Sequence, residues 1–333
     1  MPRQPLIKVF LLCVCSFFNN HIAAAQPQVL SVICPASLID SKTLADFERK
    51  TKVQLRIEIT ASPHEFEQRL KNSANNWDVV IADENELTLL NAARLIRPLN
   101  DPRFAETKQL PLAQPSKTQT ESHAYVGLMA DPFGIVWLDD TLGTKRSPSW
   151  DAFVNPAENP LWRGRIFLPS DLTLLARTAL MAHGMTNAQT SLENGAQALD
   201  WLRKAHMQTR QGSSQLVLEL LKKRVVAGAL WKSDYLRVRH TVPSLNFSPP
   251  QNTFFRRFGA ALVADTLHEE MALNFIAHLV THRNDLARFA GIVPLEFTAD
   301  KDADISKWVL YDETLPINPA FAKEMSKIFG KTK

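Results

Sequence analysis

Short apolar segments alternate with amphipathic ones through the first third of the chain, and this order constrains the fold more than any other feature. The alternation comprises strand 29–33, helix 42–50, strand 53–59, a helix begun by a capping box at Ser62–Glu65, strand 77–82 and helix 86–93. The capping box pairs Ser62 with Glu65 around Pro63 at the first helical position. A βαβαβ order predicts a parallel sheet with helices on its faces.

The alternation of strands and helices is interrupted at residues 100–122 and then resumes. Residues 100–122 carry three prolines and no apolar periodicity, which predicts a surface loop. Two apolar segments, 124–129 and 133–138, follow on either side of Asp131-Pro132 and lead into a second α/β unit. Its predicted elements are strand 166–168, helix 172–183 between Asp171 and Gly184, helices 195–206 and 214–224, strand 226–230, strand 258–263, helix 266–280, and helix 285–290 closed by Gly291.

The N-terminus has the layout of a secretory signal peptide. Arg3 and Lys8 precede an apolar core, VFLLCVCSFF, and Ala23–Ala25 offers a small-residue cleavage site. The core is too short to span a membrane. We therefore expect export to the periplasm, with cleavage after Ala25 and residues 1–25 removed.

Composition indicates the number of domains and the classes of partner of the mature protein. With 333 residues, 45% apolar and 22% charged, the chain is typical of a folded protein of about two domains. The formal charge of +4 falls to about +2 without Arg3 and Lys8, too little to indicate a nucleic-acid partner. Only Cys34 remains after cleavage, so no intramolecular disulfide is possible, and we interpret it as a small core residue.

Signatures of enzymes are nearly absent. The sequence lacks G-x-S-x-G, G-x-x-x-x-G-K-[ST] and G-x-G-x-x-G, and it has only 11 glycines. His278 and His282 lie one turn apart on a helix, but the Glu of H-E-x-x-H is missing and no third ligand is evident, so no metal site is predicted. Solvated histidines at a helix end are the favoured interpretation.

Several polar and aromatic residues follow predicted strands, where open α/β sheets bind ligands. They are Asp83 and Glu84 after the third strand, Asp171 after strand 166–168, and Trp231 with Ser233 and Asp234 after strand 226–230. Asp171 is equally placed to cap the helix that starts at Leu172. Asp83 and Glu84 also fit solvated loop residues, and Trp231 also fits core packing. Arg256 and Arg257 lie between phenylalanines, and two interpretations stay open: one of the pair faces a cleft, or the pair lies at a solvent-facing edge.

The chain resembles the periplasmic binding proteins of spermidine/putrescine-type ABC transporters. The segments that carry the resemblance are LSVICPASLIDSKTLADFERKT, WDVVIADENELTLLNAARLIRPLN, SPSWDAFVNPAENPLWRGRIFLPSD, VAGALWKSDY and FGAALVADTLHEEMALNFIAHLVTHRNDLARFAGIVP. The resemblance implies an α/β, two-lobed periplasmic-binding-protein fold (type II), in which each lobe is a mixed sheet flanked by helices and the ligand cleft lies between the lobes. It assigns residues 26–131 and 254–300 to lobe 1, and 132–253 and 301–333 to lobe 2.

The resemblance also implies a binding site, with departures from the family's pattern. Asp171 matches a carboxylate that holds a ligand ammonium, and Trp231 matches an aromatic wall. Aromatic positions become Pro35 and Leu38, a second acid becomes Leu174, another becomes Phe258, and Arg256 replaces an aromatic. The ligand-binding residues expected on this basis are Asp171, Trp231, Asp83, Glu84, Arg256, Phe258, Ser37 and Asp234.

The function implied is that of a solute-binding subunit, without catalysis or cofactor, that closes on a small organic solute and delivers it to an inner-membrane ABC permease. It would act as a monomer. A polyamine is the first expectation, while a modified amine, an amino acid derivative, or an anion held by Arg256 or Arg257 stays open. Iron is disfavoured because a related family that binds ferric iron uses adjacent tyrosines, whereas Tyr125, Tyr235 and Tyr311 are not adjacent. The competing hypotheses are an exported hydrolase, using zinc on His278 and His282 or using Asp171, and a binding-protein fold used as a sensor or chaperone.

Overall fold

The computed structural model describes residues 28–35, 38–60, 65–72, 77–109, 124–139, 148–155, 160–169, 171–185, 195–208, 216–295, 308–311 and 317–329. The predicted signal peptide, Ser37 and the first residues of the capping box at Ser62 lie outside this part of the chain. None of the helices described is both long and apolar enough to cross a membrane.

The βα alternation predicted for the first third is confirmed. The strands are β1 Val29–Pro35, β2 Gln54–Thr60, β3 Val79–Asp83, β4 Ile96–Arg97, β5 Tyr125–Leu138, β6 Ile166–Phe167, β7 Ala227–Trp231, β8 Leu245–Ser248, β9 Phe254–Val263, β10 Val293–Pro294 and β11 Val309–Leu310. The helices are α1 Ser41–Thr51, α2 Glu65–Asn72, α3 Glu84–Ala92, α4 Leu172–Ala182, α5 Ala196–Gln208, α6 Leu216–Leu221, α7 Lys232–Arg239, α8 Glu269–Thr281, α9 Arg283–Ala290 and α10 Pro319–Phe329.

The first half of the sheet has the order β2-β1-β3-β9-β5. β1 is parallel to both β2 and β3, as the α1 and α2 crossovers require, whereas β9 is antiparallel to β3 and β5. The strand β1 is buried along most of its length, which explains its continuous apolar run. A parallel core with one inserted antiparallel strand results.

The second half of the sheet is built on the later part of β5. Residues from Phe133 onward pair with β7 and β8, and β7 pairs in parallel with β6. Each half of the sheet has its own apolar core. One core packs α1 and α8 against β1, β3 and β9, and the other packs α4, α5 and α10 against the β5–β7 region.

The prediction of two separate apolar segments around Asp131-Pro132 is wrong, because β5 is one continuous strand of 14 residues. Pro132 is tolerated because β5 changes partners there: residues up to Pro132 pair with β9, and residues from Phe133 pair with β7. β5 therefore runs from one half of the sheet into the other.

The strand β9 is also longer than predicted. It begins at Phe254 rather than Phe258, so Arg256 and Arg257 lie inside it. Its first residues pair with β11 and its last residues pair with β3 and β4. β5 and β9 are thus the two strands that cross between the lobes.

Local signals in the sequence match the observed helix ends. The Asp171 side chain accepts hydrogen bonds from the backbone N–H groups of Thr173 and Leu174, and Gly291 ends α9 at φ 66°. Residues 100–109 are less irregular than predicted, because Asp101 caps a 3-10 helix at Pro102–Phe104 and a second follows at Glu106–Gln109. The rest of that predicted loop lies outside the described residues.

Candidate functional site

A cavity of about 800 Å³ lies between the two lobes. Its lining comes from the carboxyl ends of β1, β2 and β3, from α7, from β9 and from α9. The lining residues are Pro35, Leu38, Ile59, Thr60, Phe66, Asp83, Ser233, Asp234, Leu236, Arg237, His240, Arg256, Phe258, Arg288, Phe289, Ala290 and Gly291. This is the position that an open α/β sheet offers to a ligand.

Arg256 lies at the base of this cavity, on the strand that crosses between the lobes. Its guanidinium carbon is 4.6 Å from the centre of the Trp231 ring and 5.2 Å from the centre of the Phe258 ring. The side chain is 19% exposed. The two aromatic faces hold the planar guanidinium in place through cation–π attraction.

Asp131 is the partner of Arg256 and is fully buried. The two residues are directly opposite each other in the β5–β9 pairing, and Arg256 Nε donates to Asp131 Oδ2 at 3.1 Å. Burial raises the pKa of Asp131, and the Arg256 guanidinium partly offsets that effect. The pair is therefore a desolvated ion pair in the crossing region.

Asp131 also binds the start of α7. Ser233 donates to it twice, through its backbone N–H at 3.0 Å and its hydroxyl at 2.7 Å. The N-cap residue of α7, Trp231, makes no side-chain capping bond of its own. A carboxylate about a hundred residues earlier in the chain thus supplies the cap, which links β5 to the start of α7.

Arg257 lies on the opposite face of β9 and does not line the cavity. Its Nε donates to Glu84 Oε2 at 2.6 Å, Nη2 makes a second short bond to Glu84, and Tyr125 donates its hydroxyl to the same carboxylate. Burial and the charge on Glu84 raise the pKa of Tyr125. The expectation that one arginine of the pair faces a cleft is met by Arg256, because neighbouring residues in a strand point to opposite faces.

Glu84 consequently does not take the place that the sequence suggested for it. Its side chain is only 2% exposed and is bound to Arg257, whereas Asp83 does line the cavity. The reason is that Glu84 is the first residue of α3, and its side chain turns back into the packing between α3 and β9. Of the two neighbouring acids, only Asp83 is available to a solute.

The two acids that line the cavity both have partners within the protein. Asp83 caps α3 by accepting from the Glu86 N–H at 3.1 Å, and Asp234 forms a close ion pair with Arg237. Arg288 also lines the cavity. The charged lining thus contains three arginines, at 237, 256 and 288, and two acids.

Asp171 has the capping position that the sequence allowed for it, and Trp231 lies beside the cavity rather than in its lining. Asp171 is exposed and caps α4, and it is not among the residues that line the cavity. Trp231 is buried, 5.1 Å from the Phe133 ring and 5.6 Å from the Tyr311 ring between centres, with Arg256 over its face. Trp231 supports the cavity from behind Arg256 rather than lining it. Ser37 lies outside the described residues.

Sequence reasoning missed Asp131 and two of the arginines. In the sequence, Asp131 belongs to the Asp131-Pro132 pair that lies between two apolar segments. No local pattern reveals that its partner, Arg256, lies 125 residues later. Arg237 and Arg288 occupy helices that read as ordinary amphipathic segments. Arg237 could have been found, because it lies six residues after Trp231, on the helix that follows a strand end.

Comparison with known proteins defines the class of protein to which this chain belongs. Residues 42–313 match the family model described as bacterial extracellular solute-binding protein, and the chain belongs to this family. The sequence matches no curated protein.

Solved structures share the fold at low sequence identity. A spermidine/putrescine ABC transporter substrate-binding protein, PotD, from Streptococcus pneumoniae is 14% identical and has a TM-score of 0.77, over 91% of this chain and 98% of that one. An ABC transporter substrate-binding protein from Bradyrhizobium japonicum is 14% identical with a TM-score of 0.70, over 92% and 100% of the two chains. A ferric binding protein from Bordetella is 14% identical with a TM-score of 0.60, also over 92% and 100%.

The fold is therefore the type II periplasmic-binding-protein fold, as the resemblance implied. The family and the fold are those of solute-binding proteins rather than of enzymes. Proteins of this class bind small solutes and work with ABC-type membrane permeases. The similar structures include both amine and iron binders, so the fold leaves the identity of the solute open.

Proposed function

We propose that this protein is the periplasmic solute-binding subunit of an ABC importer and delivers a small organic solute to an inner-membrane permease. The observation that carries this proposal is the cavity between the lobes, lined by the carboxyl ends of β1 to β3, by α7 and by the crossing strand β9. The signal-peptide pattern at residues 1–25 supports export, and the protein would act as a monomer.

The lobes are proposed to divide as the resemblance implied, with residues 26–131 and 254–300 in lobe 1 and residues 132–253 and 301–333 in lobe 2. The separate apolar cores support this division. The second core draws on residues between Phe133 and Leu245 together with Phe254, Tyr311, Phe321 and Met325, and its last two members support the grouping of α10 with lobe 2.

Closure of the two lobes about β5 and β9 would trap the solute. Such a change makes and breaks no covalent bond, and the solute selects the closed state because both lobes contact it only there. In the proposed closed state, α7 from lobe 2 approaches Asp83 and Leu38 of lobe 1 across the solute.

The charges around the cavity favour a solute that carries an anionic group. Hydrogen bonds of Arg256 to described residues use Nε and Nη2, and a guanidinium has five N–H donors, so its Nη1 side is available to a ligand. Arg237 and Arg288 also line the cavity, where Arg237 is paired with Asp234 and Arg288 with Asp285 at 3.0 Å. We propose that a carboxylate or a similar anion binds Arg256, with the apolar part of the solute against Phe258 and Leu38.

A polyamine, the first expectation from the sequence, is the second candidate because Asp83 and Asp234 also line the cavity. Each buried ammonium needs a paired carboxylate. Here Asp234 is already bound to Arg237, and Asp131 is bound to Arg256. A polyamine would have to displace Arg237 from Asp234 and bind close to the Nη1 side of Arg256.

Ferric iron is a poor candidate, as the sequence suggested. Tyr125 is bound to Glu84, Tyr235 donates to the Leu245 carbonyl at 3.3 Å, and Tyr311 packs against Trp231. None of the three tyrosines of the chain is among the residues that line the cavity. Phenolate ligands are thus absent from the described lining.

Thermal unfolding against a solute panel tests the proposal. The protein is expressed with its own leader, recovered from the periplasm, and freed of bound solute by unfolding and refolding. Succinate, glutamate and citrate form the anionic arm, and putrescine and spermidine form the amine arm. A solute at 100 times its Kd stabilises the folded state by about 2.7 kcal/mol, and we expect such a rise in Tm with at least one carboxylate.

Two arginine variants and one control localise the effect. Arg256→Met should abolish the rise and Arg237→Gln should reduce it, each measured against the variant's own ligand-free Tm. Arg224→Gln, which removes an exposed arginine paired with Glu219 at the end of α6, should leave the rise unchanged. A rise with putrescine or spermidine alone would contradict the anionic site. No rise with any solute would favour the sensor hypothesis.

A further inference from the structure

A second cluster of polar side chains lies where α1 packs against α8, away from the cavity. It contains Asp46 from α1 and His278 and His282 from the end of α8. One ligand atom from each residue lies within 4.8 Å of the other two, and the two imidazole rings are 4.1 Å apart between centres. The third ligand that the sequence did not reveal is thus supplied by a helix more than 200 residues earlier.

The hydrogen bonds of the two histidines determine which ring nitrogens can bind a metal. His278 Nε2 lies 3.0 Å from the Thr43 carbonyl oxygen, and His282 Nδ1 lies 2.8 Å from the His278 carbonyl oxygen. A carbonyl can only accept, so both of these nitrogens carry the proton. In the neutral rings, His278 Nδ1 and His282 Nε2 are therefore the nitrogens with free lone pairs.

The lone pair of His282 faces a carboxylate. His282 Nε2 is 3.8 Å from Asp46 Oδ2, which is too far for a hydrogen bond. Two acceptors at this separation are stabilised by a cation between them. Ligand atoms of a tetrahedral zinc ion with bonds of about 2.0 Å lie about 3.3 Å apart, so the three side chains would have to approach one another by at most about 1.5 Å, and a water would supply the fourth ligand.

We propose that Asp46, His278 and His282 form a site for a divalent transition metal, with zinc as the best-fitting ion, that ties α1 to α8 within lobe 1. Two imidazoles and one carboxylate are ligands that suit zinc and not calcium or magnesium. Backbone carbonyls orient both rings from the far side, which is the arrangement that holds histidines in metal sites.

The surroundings of the cluster are compatible with metal binding. Asp46 forms ion pairs with Arg49 and, at 2.6 Å, with Lys50, and both of these basic side chains are well exposed. Exposed pairs of this kind contribute little to stability, so a metal can replace them. None of the three ligands lines the solute cavity, and the site therefore stabilises lobe 1 without taking part in solute binding.

Zinc binding to the whole protein tests the proposal. After treatment with a chelator, the protein is titrated with Zn²⁺ in competition with a chromophoric zinc indicator, and with Co²⁺ to record d–d absorption. We expect one ion per chain, cobalt bands of four-coordinate intensity, and a rise in Tm of about 5 °C at saturating zinc. His282→Gln and Asp46→Asn should each weaken zinc binding at least about tenfold.

His268→Gln is the matched control, since His268 lies just before α8, at the end opposite the cluster, and pairs with Asp78. It should bind zinc as the natural protein does. Asp46→Asn removes only surface ion pairs, so it serves as the test if His282→Gln fails to fold. The absence of saturable zinc binding, or binding that Asp46→Asn and His282→Gln leave unchanged, would overturn the proposal.

Discussion

At the scale of single residues, the pair formed by Asp131 and Arg256 connects stability to binding. Asp131 is fully buried and accepts three hydrogen bonds, one from Arg256 and two from Ser233. A buried ion pair adds little net stability, but removing one partner leaves an uncompensated charge. Arg256 is therefore expected to be needed for folding as well as for the solute.

Replacing Arg256 gives a pH-dependent loss of stability. Arg256→Met should destabilise the protein by about 3–5 kcal/mol at neutral pH. The pKa of Asp131 is already raised by burial and rises further without the guanidinium. Because the folded state then binds the extra proton, the stability of the variant should fall as pH rises from about 4 through that raised pKa.

Urea unfolding at pH 4.5 and pH 8 checks this prediction. The difference in unfolding free energy between the natural protein and the variant should be larger at pH 8. A difference that is equal at the two pH values would show that Asp131 does not carry the uncompensated charge. A double variant, Asp131→Leu with Arg256→Met, should regain stability at pH 8.

Labelling of Cys34 tests both the burial of its side chain and the removal of the leader. Burial raises the pKa of its thiol to about 12, so at pH 8 only about one molecule in ten thousand carries the reactive thiolate. The native protein should not react with a disulfide reagent, whereas the denatured exported chain should release one equivalent. Rapid labelling of the native protein would contradict the burial of Cys34, and three equivalents on denaturation would show that the leader is retained.

Residue positions on one strand could be predicted from the sequence, while partners across the fold could not. The alternation of faces along β9 separates Arg256 from Arg257 as soon as the strand is recognised. The role of Asp131 depends on its position opposite Arg256 in a pairing between distant segments. No local pattern of the sequence contains that register.

At the scale of elements, Asp171 acts as the N-cap of α4. The sequence allowed it to hold a ligand ammonium or to cap α4, and the structure has it accepting from two backbone N–H groups at the start of α4. Asp171→Ala should lower the unfolding free energy by about 1 kcal/mol, while Asp171→Asn should be close to neutral. Neither change should affect solute affinity in the thermal panel.

Different effects of Asp171→Asn on stability and on solute binding would identify a ligand contact instead. If Asp171→Asn keeps the stability of the protein but weakens binding of an amine solute, the carboxylate acts on the ligand rather than only on the helix. The asparagine variant separates the two roles, because it retains the capping oxygen and removes the charge.

The joint between α3 and β9 gives another prediction. Glu84 accepts from Arg257 and Tyr125 in a buried position, so Glu84→Gln should destabilise the protein by about 3 kcal/mol without altering solute affinity. Urea unfolding and the solute panel measure the two effects on the same preparation. A loss of affinity with unchanged stability would reassign Glu84 to the solute cavity.

The elements themselves were largely predictable, because each strand and helix carries its own periodicity. The exceptions are β5 and β9, which are longer than their apolar runs, and α7 and β8, which were not predicted. Asp131-Pro132 and Arg256-Arg257 interrupt the apolar pattern, yet the backbone stays extended because neighbouring strands pair with it on both sides of the interruption. Tertiary pairing thus overrides a local breaker signal.

At the scale of the whole molecule, the two crossing strands join the lobes beneath the cavity. The polar residues of the crossing, Asp131 and Arg256, are also the residues that link α7 to the base of the cavity. An anion bound at Arg256 would therefore act on α7 through Asp131. The two-lobed fold followed from the family resemblance, whereas the basic lining of the cavity emerged only when α7, α9 and β9 were brought together.

Small-angle X-ray scattering measures whether the lobes close on a solute held at Arg256. The protein is measured alone and with the solute that gives the largest thermal shift, and Arg224→Gln and Arg256→Met are measured in parallel. We expect a smaller radius of gyration with solute for the natural protein and for Arg224→Gln, and no change for Arg256→Met. An unchanged radius of gyration on saturation of the natural protein, or compaction that persists in folded Arg256→Met, would show that the lobes do not close on a solute held at Arg256.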